Sequence, residues 1–226
     1  MAESTDAAAI RARKIEKMGS ELGQLHYELW NELAWVHAKW REYRHLYGTD
    51  EATIAILNAA APAFFYFLGA ILFDDVLLHL TRLTDPPEYR GHARLTLRRL
   101  PGLIPDPVLR AKAEDLLKVV LTRTDFARDR RDRRIAHRDL LTVRGSHPAP
   151  LAHASRQNVE DALASMRNLM NEVESTFENS TTVFEGFISS GGADWLTACL
   201  RVGLSYRDED IKRRGDLRRR GIDPDA

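Results

Sequence analysis

Residues 20–47 read SELGQLHYELWNELAWVHAKWREYRHLY, and this stretch decides the fold class. Its apolar side chains recur at steps of three or four residues: Leu22, Leu25, Leu29, Leu33, Val36, Trp40, Tyr43 and Tyr47. Because an α-helix turns once every 3.6 residues, this spacing predicts one long helix with a continuous apolar face. Trp30 and Trp35 lie off that stripe, so we expect the buried face of the helix to be wide.

Three more stretches have helical spacing. They predict long helices from about Asp50 to Leu83 with a kink at Pro62, from Pro107 to about Leu141, and from about Ser155 to Phe177. Shorter helices are expected around residues 94–100 and 194–204, and no run alternates in the manner of a strand. The sequence therefore predicts an all-α fold, namely an antiparallel bundle of four long helices with short accessory helices.

Length and composition favour one main domain with extensions. The chain has 226 residues, of which 44% are hydrophobic and 29% charged, as in an ordinary soluble globular protein. We place an N-terminal extension or short helix at residues 1–19, the helical bundle at residues 20–182, and a helical, partly disordered tail at residues 183–226. From Arg207 onward the charge density indicates either a surface helix or disorder.

Residues 54–73 carry no charge and are long enough to cross a membrane. Acidic residues flank both ends, so the excess of Lys and Arg on one side of a membrane span is missing. A central helix buried on all sides of a bundle has the same pattern, and we favour it over a membrane span. The N-terminus lacks the apolar segment of a signal peptide, and the single cysteine fits a reducing compartment. We therefore expect a cytoplasmic protein without membrane contact.

The charges are balanced overall but unevenly distributed. Lys and Arg together number 33, as do Asp and Glu, yet residues 123–144 hold eight arginines against four aspartates. Within them, residues 128–140 read RDRRDRRIAHRDL. Guanidinium groups match phosphate oxygens in a planar fork, and a histidine titrates near neutral pH, so the stretch is a candidate phosphate site. The alternative is a solvated helix end, with arginines paired to aspartates and His137 complementing the helix dipole.

Metal ligands are sparse by comparison. Glu42 and His45 form a Glu-x-x-His pair, and Asp75 lies one turn from His79. Di-iron bundles need two Glu-x-x-His motifs and two further carboxylates, whereas this chain has one such motif. We therefore expect neither a metal site nor a cofactor.

The arginine-rich stretch resembles a known family signature. Arg131-Asp132, separated by four residues from His137, is similar to the Arg-polar-x4–6-His motif of HEPN domains, which are all-helical bundles. The segment RIAHRDL at residues 134–140, taken with LTRLTDP at residues 80–86 and the order of the helices, resembles the abortive-infection U-type subgroup. The resemblance covers about residues 20–180.

The resemblance implies a metal-independent endoribonuclease of a toxin–antitoxin or phage-defence system, acting as a homodimer whose two motifs form one composite cleft. It assigns catalytic roles to Arg131, Asp132 and His137. The charge of the neighbouring arginines predicts an RNA-binding role for Arg130, Arg133, Arg134 and Arg138. The alternative is a non-catalytic HEPN module that binds RNA or a protein partner. An antitoxin or a nucleotidyltransferase is implied as a further partner, although Arg138-Asp139 stands where targets of such transferases carry a tyrosine.

The requirements of RNA cleavage agree with the catalytic roles of these residues. Attack of a 2′-hydroxyl on the adjacent phosphate needs a base, an acid and a group that holds the developing charge. One chain supplies one suitable histidine, so a two-fold dimer would supply both. On an ideal helix, six residues place Arg131 and His137 about 120° apart, which predicts convergence in a cleft between helices rather than on one flat face.

Overall fold

The computed structural model describes residues 2–186, 191–220 and 223, with the side chains of residues 2–6 left out of that description. Over this part of the chain the elements are almost all helices, so the predicted all-α class is confirmed. The longer helices are α1 (Ala2–Met18), α2 (Ser20–Tyr47), α3 (Glu51–Ala60), α4 (Pro62–Thr84), α6 (Pro107–Arg130), α8 (Arg156–Glu178) and α9 (Ala193–Arg219). The short helices are α5 (Leu100–Leu103) and α7 (Leu140–Val143).

The chain divides into two compact units. Unit 1 comprises residues 1–38 and 74–186, and unit 2 comprises residues 39–73 and 187–226. Helices α2 and α4 are each divided between the two units. The division predicted from the sequence, at residues 19 and 182, stays a prediction.

The core of unit 1 is built from the predicted apolar faces. Helices α6 and α8 lie against each other, and their ion pairs set the direction: Lys112 bonds to Glu172 at 2.7 Å and Arg123 to Asp161 at 3.2 Å. The later residue of α6 therefore pairs with the earlier residue of α8, so these two helices run antiparallel. The fully buried side chains of the unit include Leu29, Leu33, Val36, Val76, Leu77, Leu80, Ala113, Val120, Leu163, Met166 and Met170.

Helix α1 packs closely within unit 1. Lys14 is buried, with its ammonium 3.4 Å from a carboxylate oxygen of Glu174 and 3.5 Å from one of Glu178 on α8. Where α1 meets α2, a Cβ on Gly23 would overlap the backbone of Lys14 and Ile15, so only glycine permits this approach. Gly19, with φ of +85°, makes the turn between the two helices.

Two histidines of α2 are buried in unit 1 in their neutral form. His26 Nε2 donates to the carbonyl oxygen of Met170 at 3.2 Å, and the His37 ring stacks on Phe184 with centroids 5.5 Å apart. Burial, reinforced by the charge of Lys14, lowers the pKa of His26 from 6.5 to about 3. Burial, reinforced by Arg167, lowers the pKa of His37 to about 3 as well.

These two histidines are expected to make the fold sensitive to mild acid. Below pH 6.5 both histidines become protonated in the unfolded chain but stay neutral in the folded chain, so the free energy of unfolding falls as pH decreases. Each histidine should cost about 2 kcal/mol at pH 5 relative to pH 7.5. Urea unfolding at the two pH values measures the loss, and His37→Leu should remove about half of the pH dependence. A free energy of unfolding that is unchanged between pH 7.5 and pH 5 would contradict this account.

Unit 2 differs most from the sequence prediction. The single kinked helix expected from Asp50 to Leu83 is wrong, because Ala61 leaves helical geometry, with φ −159° and ψ 76°, and separates α3 from α4. The residue before a proline is driven toward extended backbone, which explains a break at this place. Tyr47 Oη donates to the carbonyl oxygen of Phe65 at 2.7 Å, and Tyr43 contacts Phe73, so α2 and α4 run antiparallel here.

The expectation that this apolar stretch is buried on all sides is also wrong for the first half of α4. Helix α4 is long and apolar enough to cross a membrane by length and composition alone. Its first half exposes Phe64, Tyr66, Phe67 and Ile71, with Phe67 62% exposed, whereas its second half is buried. Trp35, expected within a wide buried face of α2, is likewise exposed. Periodicity identifies a helical apolar face but not whether another element of the same chain covers it.

Three further elements differ in kind or in length from those expected. The helix expected around residues 94–100 is a 3₁₀ turn at Leu97–Arg99 followed by α5. A short hairpin that the sequence did not indicate pairs β1 (Glu88–Tyr89) with β2 (His92–Ala93). The charged tail, described through Arg220, is helical in α9 as far as Arg219.

Candidate functional site

The arginine-rich stretch lies where helix α6 changes geometry and ends. Asp106 caps the start of α6, accepting from the Leu109 amide at 2.7 Å, and Pro107 occupies the first turn, as helix-start preferences favour. At Arg131–Ile135 the helix becomes a π turn, in which the Ala136 amide donates to the Arg131 carbonyl oxygen at 2.8 Å. The predicted continuous helix to Leu141 is therefore wrong.

Because of the π turn, the predicted angle of 120° between Arg131 and His137 does not apply. That angle presupposes a regular α-helix through His137, whereas the helix widens at Arg131 and stops before the histidine. Single π turns inside α-helices occur frequently at functional sites, because they re-aim the side chains that follow them. His137 consequently projects from the segment between the π turn and α7, which Asp139 caps by accepting from the Thr142 amide at 2.7 Å.

Three arginines converge on one carboxylate next to this turn. Asp85 follows the last residue of α4, and its Oδ1 accepts from Arg131 Nη1 at 2.7 Å and from Arg128 Nη1 at 3.1 Å. Its Oδ2 accepts from Arg94 Nη1 at 3.2 Å. Asp85, Arg94, Arg128 and Arg131 are called the Asp85 cluster below. With three guanidinium groups and one carboxylate, the cluster carries a net positive charge.

The end of α4 holds the cluster in place. Its last carbonyl groups have no partner within the helix and carry partial negative charge. Arg128 Nη2 donates to the Thr84 carbonyl oxygen at 3.2 Å and to Thr84 Oγ1 at 3.0 Å, and Arg98 Nε donates to the same carbonyl at 2.8 Å. The helix stop that the sequence displays as LTRLTDP is thus the structure that receives the arginines of α6.

Arg131 is held on two edges. Besides the bond to Asp85, its Nε donates to Asp132 Oδ1 at 2.7 Å. The hydrogen bond to Asp132 and then the contact with Asp85 raise the pKa of Arg131 above its ordinary value, so the group is a permanent cation. Among the described residues none accepts from its Nη2, which leaves that nitrogen available to an anionic ligand.

The other predicted residues fall into two groups. The side chains of His137, Arg134 and Arg138 are exposed, and none of these side chains forms a hydrogen bond or an ion pair with another described residue. Arg130 and Arg133 point instead toward the loop before α8. Arg133 donates to Thr142, Asp129, Pro150 and Ala149, while Arg130 Nη1 donates to the Ala152 carbonyl oxygen at 3.0 Å. These contacts favour a structural role for Arg133, and an RNA-binding role for both arginines stays a prediction.

Two open clefts adjoin the Asp85 cluster within unit 1. One, of about 470 Å³, is lined by Glu32, Arg82, Leu83, Asp85, Arg94 and Leu95. The other, of about 520 Å³, is lined by Asp125, Phe126, Arg128, Asp129, Asp132 and Ala152. Both lie in the size range of small-ligand sites. A ligand in either cleft would meet cluster arginines.

Two of the residues weighed as metal ligands, Glu42 and His79, have other partners. Glu42 Oε2 accepts from the Ala193 amide at 2.6 Å, and His79 Nε2 lies 2.7 Å from Glu32 Oε2. Within the part of the chain that the structure describes, no three His, Cys, Asp or Glu side chains come together as metal ligands.

Sequence reasoning missed Asp85 and Arg94 as members of the site. In the sequence Asp85 marks only the end of a helix, and its partner Arg131 is 46 residues away in the chain.

Removing Asp85 should cost more stability than removing Asp132. The Asp85 side chain is 15% exposed and balances three arginines, whereas Asp132 is 52% exposed and contacts one. We expect Asp85→Ala to lower the free energy of unfolding by about 2 kcal/mol, between the values for surface and buried pairs, and Asp132→Ala by less than about 1 kcal/mol. Urea unfolding of both variants measures the difference, and equal losses would show that Asp85 does not hold the cluster.

The comparison with known families agrees with this architecture. The model of the HEPN AbiU2 family, described as AbiU2, matches residues 19–195, which is more than half of the chain. No curated protein and no solved structure matches the chain. The all-α HEPN-like fold predicted from the sequence is confirmed by the family match and the helices together. The chain therefore belongs to the AbiU2 family of HEPN domains, an abortive-infection-associated family.

Proposed function

We propose that the chain is a metal-independent endoribonuclease of an abortive-infection or toxin–antitoxin system, acting on RNA in the cytoplasm as a homodimer. The observation that carries this proposal is Arg131, held by Asp85 and Asp132 beside a π turn and followed by an exposed histidine. Phosphodiester transfer needs a group that holds the developing charge, for which Arg131 is a fixed cation with a free donor, and groups that transfer protons, for which His137 follows six residues later in the chain.

The reaction has two proton transfers. A base removes the proton of a 2′-hydroxyl, whose oxygen bonds to the adjacent phosphorus, and the 5′-oxygen of the next nucleotide leaves with a proton from an acid. The products are a 2′,3′-cyclic phosphate and a 5′-hydroxyl. His137 is the group for one transfer, and the second copy of His137 in a dimer serves the other. Arg131 Nη2 donates to the phosphate oxygens, on which negative charge increases during attack.

The neighbouring groups bind the rest of the RNA. Arg134 and Arg138 are exposed, so they can contact phosphates on either side of the scissile bond. Asp132 orients Arg131 through the bond to its Nε, which assigns it a positioning role. No step in this scheme requires a metal ion.

A titration of active with inactive chains tests the composite site. Wild-type chain is mixed and allowed to exchange with increasing amounts of His137→Ala chain at constant total protein, and the cleavage rate of labelled RNA is measured in EDTA. If both histidines of a dimer are needed, the rate should fall as the square of the wild-type fraction. A linear fall would mean that each chain holds a complete site, and no cleavage by the wild type would overturn the proposed function.

One observation favours a second candidate, a non-catalytic module that binds RNA or a protein partner. Among the described residues none orients the His137 ring by a hydrogen bond, whereas catalytic histidines usually have such a partner. The second candidate is selected if RNA binding is sensitive to salt, occurs without cleavage, and is unchanged by His137→Ala but weakened by replacing Arg134 and Arg138 together.

A further inference from the structure

The hairpin between α4 and the 3₁₀ turn displays an aromatic ring among arginines. Tyr89 is 50% exposed, and the guanidinium carbons of Arg94 and Arg90 lie 4.5 Å and 5.1 Å from the centre of its ring. Both guanidinium groups lie over the ring, so a flat π system can stack on a guanidinium plane or, by displacing one of them, on the ring itself.

The hairpin is a rigid support for that ring. Glu88 and Tyr89 pair with Ala93 and His92, and the turn between them takes positive φ at Arg90 (51°) and Gly91 (78°), the geometry of the tightest hairpin turns. Arg99 ties the two arms at their base, because its Nη2 donates to the Pro87 carbonyl oxygen at 2.7 Å and its Nε to that of Arg94 at 2.8 Å. A ring that is already fixed loses little entropy when a ligand stacks on it.

A short series of contacts connects the ring to Arg131. Arg94 touches the Tyr89 ring and bonds to Asp85 Oδ2, while Arg131 bonds to Oδ1 of the same carboxylate. Arg94 and Asp85 also line the cleft of about 470 Å³. Through Arg94 the hairpin adjoins the Asp85 cluster, so a polymer whose phosphate sits at Arg131 can lead a neighbouring unit toward Tyr89.

Charge indicates the chemistry of the ligand. Residues 82–99 contain five arginines against Asp85 and Glu88, so the segment around the hairpin is positive. An anionic chain that also carries flat rings satisfies both the arginines and the exposed tyrosine. Single-stranded nucleic acid has this combination, because its unstacked bases stack on aromatic rings and on guanidinium planes.

We propose that Tyr89, with Arg90 and Arg94, forms a subsite that stacks one unpaired base of the RNA next to the nucleotide held at Arg131. The subsite rests on the proposed function for its ligand class, but it concerns binding and is measured without cleavage. It adds a hairpin outside the arginine-rich stretch to the RNA-binding surface.

Binding of a labelled single-stranded RNA to the His137→Ala protein, followed by fluorescence anisotropy, tests the subsite. Tyr89→Ala in this background should weaken binding about 5- to 150-fold, the usual effect of losing one base stack. Tyr89→Trp should bind at least as well as the parent. Tyr66→Ala removes a tyrosine that is 76% exposed in unit 2 and should change nothing. Thermal unfolding of each variant verifies that it is folded.

A second ligand separates stacking from charge. An oligonucleotide of equal length with abasic ribose phosphates should bind the parent and Tyr89→Ala equally, because it has no base to stack. Equal loss on both ligands, or no loss on RNA, would overturn the subsite. Failure of the wild type to cleave RNA, with the Tyr89→Ala effect intact, would overturn the nuclease proposal and leave the subsite standing.

Discussion

Replacing His137 by alanine should reduce the rate of RNA cleavage about 10²- to 10⁴-fold, the range typical of losing a general acid or base. In the proposed mechanism both proton transfers use a copy of this residue, so the variant would lose both in the dimer, and the upper part of the range is expected. His137 is exposed and makes no hydrogen bond with another described residue, so the free energy of unfolding should stay within about 0.5 kcal/mol of the wild type. Single-turnover cleavage of end-labelled RNA and urea unfolding measure the two quantities.

His153→Ala is the matched control for this change. His153 is also an exposed histidine of unit 1, in the loop before α8, and it belongs to no predicted site. It should leave cleavage within about two-fold of the wild type, as expected for a surface residue outside the site. An active His137→Ala protein would remove His137 from the mechanism, and an equal loss in His153→Ala would point to a nonspecific effect of losing a histidine.

Replacing Arg131 by alanine should reduce cleavage about 10²- to 10³-fold, because the donor to the developing phosphate charge is lost. Arg131→Lys should recover little of this activity. A lysine ammonium lacks the two edges with which Arg131 reaches Asp85 and Asp132 while keeping Nη2 free. Cleavage rates at saturating RNA, together with RNA affinity in the His137→Ala background, separate the lost catalysis from lost binding.

The control for Arg131 is another arginine paired with an aspartate. Arg123 bonds to Asp161 at 3.2 Å on the surface of α6 and α8, away from the Asp85 cluster. Arg123→Ala should leave the cleavage rate within about two-fold and the free energy of unfolding within about 1 kcal/mol. If Arg131→Ala cleaved RNA as fast as Arg123→Ala, the Asp85 cluster would be a structural ion-pair network without a catalytic role.

Much of the fold follows from local sequence, and the errors have physical causes. The stripe in α2 and the Asp106–Pro107 start of α6 are local signals, and they predicted these helices correctly. The break at Ala61 came from the proline after it, whose effect on the preceding residue outweighed the apolar pattern running through it. The exposed first half of α4 could not be predicted, because an apolar pattern does not reveal what covers it.

The site was predictable in part. Spacing and residue type identified Arg131, Asp132 and His137, and their catalytic roles stay predictions. They did not identify Asp85 or Arg94, because these contacts depend on how α4 ends against α6. Nor does composition distinguish Arg133, engaged by four protein groups, from Arg134, which is exposed. The arginine-rich stretch therefore divides into residues that stabilise the fold and residues that face solvent.

The chemistry of the cut decides whether the Asp85 cluster and His137 form a metal-independent ribonuclease site. Wild-type protein is incubated in EDTA with an RNA and with the same RNA carrying a single 2′-deoxynucleotide at the mapped cleavage site, and the product ends are identified by mass spectrometry. The proposed 2′-hydroxyl attack predicts 2′,3′-cyclic phosphate and 5′-hydroxyl ends from the RNA, and no cut at the deoxy position. Cleavage at the deoxy position, cleavage abolished by EDTA, or an uncut RNA would contradict it.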